Sequence, residues 1–510
     1  MFQRKHLSVG VIVKQSCDKV SGAHMFDPAS NRTVGKSSAH ARYERLIPEA
    51  ACGARLAIKG PPCARTTTPE ILDIVFQSRE LPDISRRAAA LNWREQLVKH
   101  RTEHGSGRQR GSRKNSVGPF LLRFAMDSSA YRIGLMFSTS GPYAMVSRSM
   151  LNGTLLALSE GLIENSVRRI EPVIVNPEGD LSRYRELTRE LLGTGIRHII
   201  GCYTSLSRKE VIPIFEKHDA LLWYPSHYEG FESSNNVIYT GASPNQHVLP
   251  LVRHMAREGR TKAFCVGSNY IWAWESSRVL REALEANAGH VVGERYAHVG
   301  DRDFGFLCEA IIDARPDFVF SNFIGTSECA FLQQFRAACR NRGIDQIKAL
   351  PITSCTLSES DLQGCEASWS DGHISSSVYF SSIGTPGNKA FVESYQKRFP
   401  DDPPASADAE ASYIAAKLLM HSLAIAGSDT VIDIKDAVVQ QLLAAPQGPV
   451  RIDSETYHAW LTPRIGRSTP SGEFEILYEE PSPVRPDPYL IHSAPQFAEL
   501  STTNLRVVGQ

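Results

Sequence analysis

From Tyr131 onward, the chain alternates short apolar runs with segments whose apolar residues recur at helical spacing. The first four apolar runs are YRIGLMFS, RIEPVIV, IRHIIGCY and ALLWYP, and segments such as LSRYRELTRELLGTG and RKEVIPIFEKHD lie between them. Short apolar runs bounded in this way are typical of strands that are buried on both faces. The alternation of strand and helix predicts a parallel sheet with helices on both sides, which is an α/β fold.

A second series of the same kind follows without a linker. It comprises NQHVLPLVRHMAREG, KAFCVGS, ESSRVLREALEANAG, HVVGERYA, DFGFLCEAIIDAR and DFVFSNF. Two such series in a chain of 510 residues indicate two lobes of similar build, because a single core rarely grows to that size. Two later helical segments, NKAFVESYQKRF and SADAEASYIAAKLLMHSLAIAG, are expected to return to the first lobe. We therefore assign residues 126–246 and about 380–450 to the first lobe, and residues 247–379 and about 451–510 to the second.

Residues 1–125 differ from the rest of the chain. They carry 22 Lys and Arg against 10 Asp and Glu, whereas the remaining residues carry 34 against 45. They show no sustained hydrophobic period and end in the basic run SGRQRGSRK, which lacks the interleaved aromatic residues typical of nucleic-acid binding. We expect a basic, mostly disordered extension. Translation from Met126, just before the first strand, is the alternative.

The composition of the whole chain excludes several classes of protein. The net charge is +1, and the sequence contains no run of the roughly 18 apolar residues that cross a membrane. The start, MFQRKHLSVGVIVKQSCDK, has no small-residue cleavage site after its apolar stretch. The ten cysteines form no C-x-x-C motif, and Cys202 and Cys265 lie in apolar runs where a reduced thiol packs as a small hydrophobe. We expect a cytoplasmic protein with no membrane segment and no nucleic-acid partner.

Motifs typical of enzymes are weak in this sequence. HRTEH (His100–His104) matches the H-x-x-E-H zinc motif, but no third ligand can be identified. GKS (Gly35–Ser37) resembles the end of a phosphate-binding loop, but Ser30 stands where that loop requires a glycine. Neither a G-x-S-x-G elbow nor a pair of carboxylates stands out at a strand end. We therefore predict that the protein is not an enzyme and that it has no catalytic residues, metal or cofactor.

The informative residues follow the predicted strands, because ligands of open parallel sheets bind at the carboxyl ends of the strands. Four of these ends combine hydroxyl groups with aromatic rings or helix starts: STSG (Ser138–Gly141), YTS (Tyr203–Ser205), YPSHY (Tyr224–Tyr228) and GSNYIW (Gly267–Trp272). Aromatic rings can wall a small pocket, and hydroxyl and N–H groups supply fixed donors and acceptors. No unpaired charge recurs at these ends. Each residue alone also suits a core or capping role, but their recurrence at one edge predicts a binding cleft.

Longer motifs in the same region resemble one family. GCYTSLSRKEVIPIFEKHDALLWYPSHYEGFESSNNVIYTGASPNQHVLPL (Gly201–Leu251) is very similar to part of the amide sensors that regulate aliphatic amidase expression. It is more loosely similar to the urea and short-chain amide substrate-binding proteins of ABC transporters. FSSIGTP, AAPQGPVRID, LTPRIG and PVRPDPY also match, so the resemblance runs from about Tyr131 to the end. It implies a two-lobed type I periplasmic-binding fold with the ligand cleft between the lobes.

The resemblance also implies a ligand and its contacts. Proteins of this family hold a small uncharged amide or urea, which needs an acceptor for its NH₂ group and a donor for its C=O group but no counter-charge. The implied contacts are Tyr203, Ser205, Tyr224, Ser226, Tyr270 and Trp272, with Ile324, Gly325 and Thr326 facing them from the second lobe.

The chain departs from the amide-sensor pattern at three neighbouring positions. Ser226 stands in place of a threonine, His227 in place of a proline and Trp272 in place of a tyrosine. These departures change the pocket wall, so the resemblance does not fix acetamide as the ligand. Urea, a larger amide and an amide derived from a nitrile are alternatives.

Two roles are compatible with the resemblance. As a cytoplasmic, homodimeric regulator, the protein would hold an RNA-binding antiterminator inactive until an amide binds, without contacting nucleic acid itself. As the substrate-binding protein of a urea or short-chain amide ABC transporter, it would instead deliver its ligand to a permease. The second role requires export or a lipid anchor, so the sequence favours the regulator.

Overall fold

The computed structural model describes residues 130–161, 169–363 and 365–493. The predicted extension, 1–125, lies outside the described residues. The H-x-x-E-H motif at His100–His104, the Gly35–Ser37 motif and the basic run SGRQRGSRK lie outside them as well.

The first sheet contains five parallel strands in the order β2-β1-β3-β4-β5. Strands β3, β4 and β5 are buried along their whole length, as their continuous apolar sequences predict. The elements in chain order are β1 (Tyr131–Met136), α1 (Ala144–Ser159), β2 (Ile170–Val175), α2 (Leu181–Gly193), β3 (His198–Gly201), α3 (Ser205–His218), β4 (Leu221–Tyr224) and β5 (Val237–Tyr239).

The second sheet begins with five strands that run parallel to one another. Its first helix packs against the strand β10 that ends the series, on the face of this sheet. The elements in chain order are α4 (Pro244–Arg257), β6 (Lys262–Ser268), α5 (Ile271–Glu285), β7 (His290–Ala297), α6 (Gly305–Ala314), β8 (Phe318–Asn322), α7 (Thr326–Asn341), α8 (Gln346–Ala349), β9 (Ile352–Ser354), α9 (Glu359–Leu362), α10 (Ala367–Ser370) and β10 (Ile374–Ser377).

The chain then returns to the first sheet before it completes the second. Three helices and a small antiparallel sheet come first, and an isolated bridge between Tyr239 and His458 ties this segment to β5. Two final strands join the second sheet antiparallel to β10, giving the order β15-β14-β10-β9-β8-β6-β7. The elements are α11 (Pro386–Arg398), α12 (Ala407–Ala426), α13 (Val431–Val438), β11 (Leu443–Ala445), β12 (Gly448–Ile452), β13 (Ala459–Trp460), β14 (Arg464–Ser468) and β15 (Phe474–Glu479).

Helix α12 is buried against α1 and the first sheet. The two helices approach so closely that a Cβ atom on Gly153 would lie 2.1 Å from the carbonyl oxygen of Ala409, which makes glycine the residue that fits here. The predicted α/β fold, with two mostly parallel sheets flanked by helices, is therefore confirmed. The residue boundaries assigned to the lobes stay a prediction. β12 pairs with β11 and β13 pairs with β12, in a sheet separate from the second one.

None of the helices within the described ranges is both long and apolar enough to cross a membrane.

Candidate functional site

The predicted contacts lie where the carboxyl ends of the two sheets meet. Tyr203 and Tyr224 end or follow strands of the first sheet, and Tyr270 follows β6 of the second. Helix α3 begins just after Tyr203 and helix α5 just after Tyr270, and these two helices approach each other. Seven of the nine predicted contacts are buried, and the exceptions are Gly325, which is half-buried, and Thr326, which is exposed.

Aromatic rings from the first lobe form one wall of this region. Tyr203 packs against Tyr143, with 5.4 Å between the ring centroids. The hydroxyl of Tyr224 donates a 2.7 Å hydrogen bond to the main-chain carbonyl of Tyr203, so its proton is engaged within the protein. Burial, followed by the charges of Asp408 and Asp361, raises the pKa of the Tyr203 hydroxyl well above its usual value. Tyr203 therefore stays protonated and able to donate.

Ser205 is the first residue of α3 rather than its cap. Thr204 caps the helix, because its hydroxyl accepts the N–H group of Ser207. The hydroxyl of Ser205 donates a 2.5 Å hydrogen bond to Glu229. Its hydroxyl proton is thus used inside the first lobe, whereas its main-chain N–H belongs to the first helical turn, whose donors have no partner within the helix.

A buried ion-pair network contacts Ser205 and Tyr224, and it was not predicted from the sequence. Arg208 is fully buried and binds Glu229 and Glu232, each at 2.8 Å. Its guanidinium carbon lies 4.7 Å from the centre of the Tyr224 ring. Burial alone would raise the pKa of Glu232, but the charges and hydrogen bonds of Arg208 and Lys209 together lower it to about 2. Ser205 and Tyr224 both contact this network, and the two glutamates balance the positive charge of Arg208.

The three positions that depart from the amide-sensor pattern form one cluster. The hydroxyl of Ser226 donates a 2.8 Å hydrogen bond to Asp408. The Nδ1 atom of His227 lies 3.8 Å from the same carboxylate oxygen. The rings of His227 and Trp272 pack edge to face, with 4.7 Å between their centroids. Because His227 belongs to the first lobe and Trp272 to the second, this contact joins the two lobes. Burial lowers the pKa of His227 to about 4, which keeps its imidazole neutral near pH 7.

The segment Ile324–Thr326 faces the first lobe at the other side of the cleft. The main-chain N–H of Ile324 donates to the hydroxyl of Ser268 at 3.3 Å. Gly325 has a φ of 60° and lies directly against Pro142. Both lobes line a cavity of about 310 Å³ here, whose walls include Tyr143, Arg302, Gly325, Thr326, Cys329 and Asp361.

Two carboxyl groups in this region were also missed. Burial raises the pKa of both Asp361 and Asp408 to about 7, although hydrogen bonds from Ser358 and Ser226 act in the opposite direction. Both residues occupy the first turns of helices, α9 and α12. Acidic residues are common there for reasons of helix stability alone, so the sequence contained no specific signal for them.

The arrangement can surround a small polar ligand with aromatic rings and with groups that both donate and accept hydrogen bonds. Within the part of the chain that the structure describes, His, Cys, Asp and Glu side chains form no group of three or more suited to holding a metal ion.

Comparison with known proteins identifies the family. Residues 131–495 match the model described as periplasmic binding protein domain, and the chain belongs to this family. Its members and the similar solved structures are ligand-binding proteins, including the solute-binding proteins of ABC transporters.

Three solved structures illustrate the similarity. A solute-binding protein of an ABC transporter from Rhodopseudomonas palustris HaA2, in complex with p-hydroxybenzoic acid, is 19% identical, with a TM-score of 0.65 over 72% of this chain and 100% of that one. A second solute-binding protein, from R. palustris in complex with 4-hydroxybenzoate, is 20% identical, with a TM-score of 0.62 over 70% of this chain and 98% of that one. The third is LivJ from Streptococcus pneumoniae, a branched-chain amino acid transporter substrate-binding protein in complex with isoleucine. It is 18% identical, with a TM-score of 0.60 over 70% of this chain and 100% of that one. At these identities the likeness shows the fold.

A curated protein named limonene hydroxylase, from Geobacillus stearothermophilus, is 28% identical over 117 residues. The match covers 22% of this chain and 21% of that protein. The chain thus spans about a fifth of the length of this relative, and the match does not assign an activity to this chain.

Proposed function

We propose that the protein is a receptor that binds a small uncharged amide or urea between its two lobes. The observation that carries this proposal is the composition of the cleft: aromatic rings from both lobes surround carboxyl and hydroxyl groups, and the buried cation is already neutralised. Arg208 is bound by two glutamates, and Arg302 lies exposed at the rim of the 310 Å³ cavity.

The chemistry of the wall favours an amide over an acid. A carboxylate ligand would lie near Asp361 and Asp408, and the cation that lines the cavity, Arg302, is exposed, so that solvent screens its charge. Burying a charge that is not fully paired is costly. An amide offers N–H donors to the carboxyl oxygens and a C=O acceptor to hydroxyl and main-chain N–H donors. The benzoate and isoleucine ligands of the similar structures therefore do not transfer to this chain.

The family supports the role of a solute-binding protein that delivers an amide or urea to an ABC permease. The solved structures that are similar to this chain include several substrate-binding or solute-binding proteins of ABC transporters. This is the first of two candidate roles.

The amide-sensor role is the second candidate, and two observations favour it. The segment Gly201–Leu251 resembles the amide sensors, and it resembles the urea and short-chain amide transporter proteins more loosely. The seven described cysteines are unpaired, and five of them are buried, which suits a reducing compartment. In this role the protein is cytoplasmic and homodimeric, and it holds an antiterminator until an amide binds.

Binding is tested by thermal shift and calorimetry on the full chain with acetamide, propionamide, urea, 4-hydroxybenzoate and isoleucine. A ligand of four or five heavy atoms is limited to about 1.5 kcal/mol per atom, so we expect dissociation constants in the micromolar range or weaker. At 100 times the dissociation constant, a ligand should add about 2.7 kcal/mol to the free energy of unfolding. A response to isoleucine or 4-hydroxybenzoate without a response to any amide or urea would refute the proposal.

The two roles are separated by fractionation and by affinity capture from native cells. Recovery from the soluble cytoplasm, together with an RNA-binding protein that acetamide or urea releases, supports the sensor. Recovery outside the cytoplasmic membrane, together with a permease, supports the transporter receptor.

A further inference from the structure

A second, much smaller cavity of about 20 Å³ lies between the lobes beside the aromatic wall. The first lobe contributes His227, which follows β4, and Asp408 of α12. The second lobe contributes His247 of α4, together with Cys355 and Ser376. A water molecule needs roughly 10–15 Å³ on this measure, so the cavity holds a group of one heavy atom.

The hydrogen bonding of His247 defines what its free nitrogen can do. Its Nε2 atom lies 3.1 Å from the carbonyl oxygen of Tyr228, and a carbonyl can only accept, so Nε2 carries the hydrogen. Burial lowers the pKa of His247 to about 3, so the ring is neutral and Nδ1 is an acceptor. Nδ1 is buried, and within the described ranges it has no hydrogen-bond partner.

Asp408 offers a second acceptor to the same cavity. Its Oδ1 atom receives the hydroxyl of Ser226 at 2.8 Å, and His227 Nδ1 lies 3.8 Å from that oxygen. No hydrogen bond between described residues reaches the other oxygen, Oδ2. The cavity therefore has one unused acceptor from each lobe, in a space that fits one atom with its hydrogens.

We propose that this cavity receives the amino group of the ligand, with one N–H bond directed to Asp408 Oδ2 and the other to His247 Nδ1. This inference rests on the proposed function and specifies how the cleft between the lobes recognises an amide. An NH₂ group has two donors on one nitrogen, which matches two acceptors in a space for one heavy atom. Because the acceptors belong to different lobes, the bound amino group also holds the lobes together.

Ligands without N–H donors give the first test on the native chain at pH 8. Acetamide and urea should bind, whereas N,N-dimethylacetamide and methyl acetate should bind about a hundredfold more weakly or not at all, since a site built to bind an N–H group rejects analogues that lack it. Equal affinity for acetamide and N,N-dimethylacetamide would overturn the inference.

Asp408→Asn gives the second test. The amide oxygen of Asn can still accept the Ser226 hydroxyl, which turns the amide NH₂ toward the cavity and replaces an acceptor with a donor. We expect acetamide and urea to bind about tenfold more weakly or worse, and acetate to bind more tightly than it binds the native chain. A merely structural role for Asp408 would weaken all three ligands together, and this result would count against the inference.

His247→Gln has a matched control elsewhere in the chain. Glutamine can retain the donor to Tyr228 but removes Nδ1, so amide affinity should fall about fivefold to tenfold. His373 has the same arrangement, with Nε2 donating to Trp369 and a buried Nδ1 without a partner among the described residues, but it does not line the cavity. His373→Gln should leave amide affinity unchanged.

The results separate the two proposals. If the native chain binds acetamide or urea but neither Asp408→Asn nor His247→Gln changes that affinity, the inference is wrong and the proposed function stands. If the native chain binds no amide or urea, both are wrong. If one variant fails to fold, which its melting curve would show, the affinity of the other variant still decides whether this cavity binds the amino group.

Discussion

Gly325 in the second lobe lies so close to Pro142 in the first that a Cβ atom at position 325 would stand 2.2 Å from the carbonyl oxygen of Pro142. Gly325 also has a φ of 60°, a backbone conformation that favours glycine. Since this contact joins the two lobes, opening the cleft breaks it. A side chain at this position therefore acts on the closed arrangement in particular.

Gly325→Ala should weaken ligand binding by opposing closure. Proteins of this kind bind most tightly when the lobes close on the ligand, and a clash that exists only in the closed form shifts the equilibrium toward the open one. We expect affinity for acetamide or urea to fall about tenfold or more, which corresponds to about 1.4 kcal/mol. Calorimetry measures the affinity, and small-angle X-ray scattering with ligand should show a larger radius of gyration than for the native chain.

Gly343→Ala is the matched control for the effect of backbone strain. Gly343 has a φ of 68°, but a Cβ atom there would meet nothing within 4 Å. Its substitution should cost about 1–2 kcal/mol of stability without changing affinity. Equal affinity in both alanine variants would show that the Gly325 contact does not govern closure.

Arg208→Met should destabilise the first lobe strongly. Arg208 is fully buried, and its removal leaves two carboxylates, Glu229 and Glu232, to share the charge of Lys209. Breaking a buried ion pair by removing one partner typically costs about 3–5 kcal/mol. Denaturant unfolding of the full chain should show a loss of this size.

Two further variants test the cause of that loss. Arg208→Met combined with Glu229→Gln removes one charge of each sign and should recover part of the stability, because Glu232 then remains paired with Lys209. Arg342 forms an exposed pair with Glu309, so Arg342→Met should cost about 1 kcal/mol or less. A double variant as unstable as Arg208→Met would mean that lost packing, rather than the charge, is responsible.

The sequence predicted the fold well because the signals for it are local. Each parallel strand is a short apolar run, and each helix between strands has its own apolar period, so β1, β4 and α12 could be located without knowing their neighbours. The candidate ligand positions after the strands followed from topology, since the carboxyl ends of parallel strands share one edge of a sheet.

The site's polar partners could not be predicted in the same way. Ser226 and Asp408 are 182 residues apart, and nothing near either residue indicates the contact. Arg208 and Glu229 lie on a helix and in a loop where charged residues are usually solvated. The antiparallel strands β14 and β15 were also missed, because the charged residues of RIGRS and FEILYE interrupt an apolar run. Of the two, β15 lies at the edge of the sheet, where charged residues are common.

Ser205→Ala should affect stability through Glu229. The hydroxyl of Ser205 donates to Glu229, so its loss removes a hydrogen bond to a buried charged group, which is worth about 1.5–3 kcal/mol. We expect a lower free energy of unfolding and a small change in amide affinity, measured by denaturant unfolding and calorimetry. Ser205→Thr retains the hydroxyl and is the control. A large loss of affinity with unchanged stability would instead indicate that the hydroxyl contacts the ligand.

Glu328→Gln should stabilise the protein at alkaline pH and have less effect at acidic pH. Burial raises the pKa of Glu328 to about 8, from a usual value of 4.5, although the hydroxyl of Ser321 acts in the opposite direction. Between these values the folded chain holds a proton that the unfolded chain has released, so stability falls as pH rises from about 4.5 to about 8. Glutamine resembles the protonated form and does not titrate. The melting temperature of the variant relative to the native chain should therefore rise between pH 5.5 and pH 8.5.

Glu232→Gln provides a control of opposite sign. The pKa of Glu232 is lowered to about 2, because the charges and hydrogen bonds of Arg208 and Lys209 together outweigh the effect of burial. Its ionised form therefore contributes stability that is fully present above about pH 4.5 and is lost only as pH falls toward 2. Glu232→Gln should be less stable than the native chain by the same amount at pH 5.5 and at pH 8.5. If the Glu328→Gln difference were equally flat, the carboxyl of Glu328 would be ionised throughout this range, and the burial of Glu328 beside Ser321 would not control its proton.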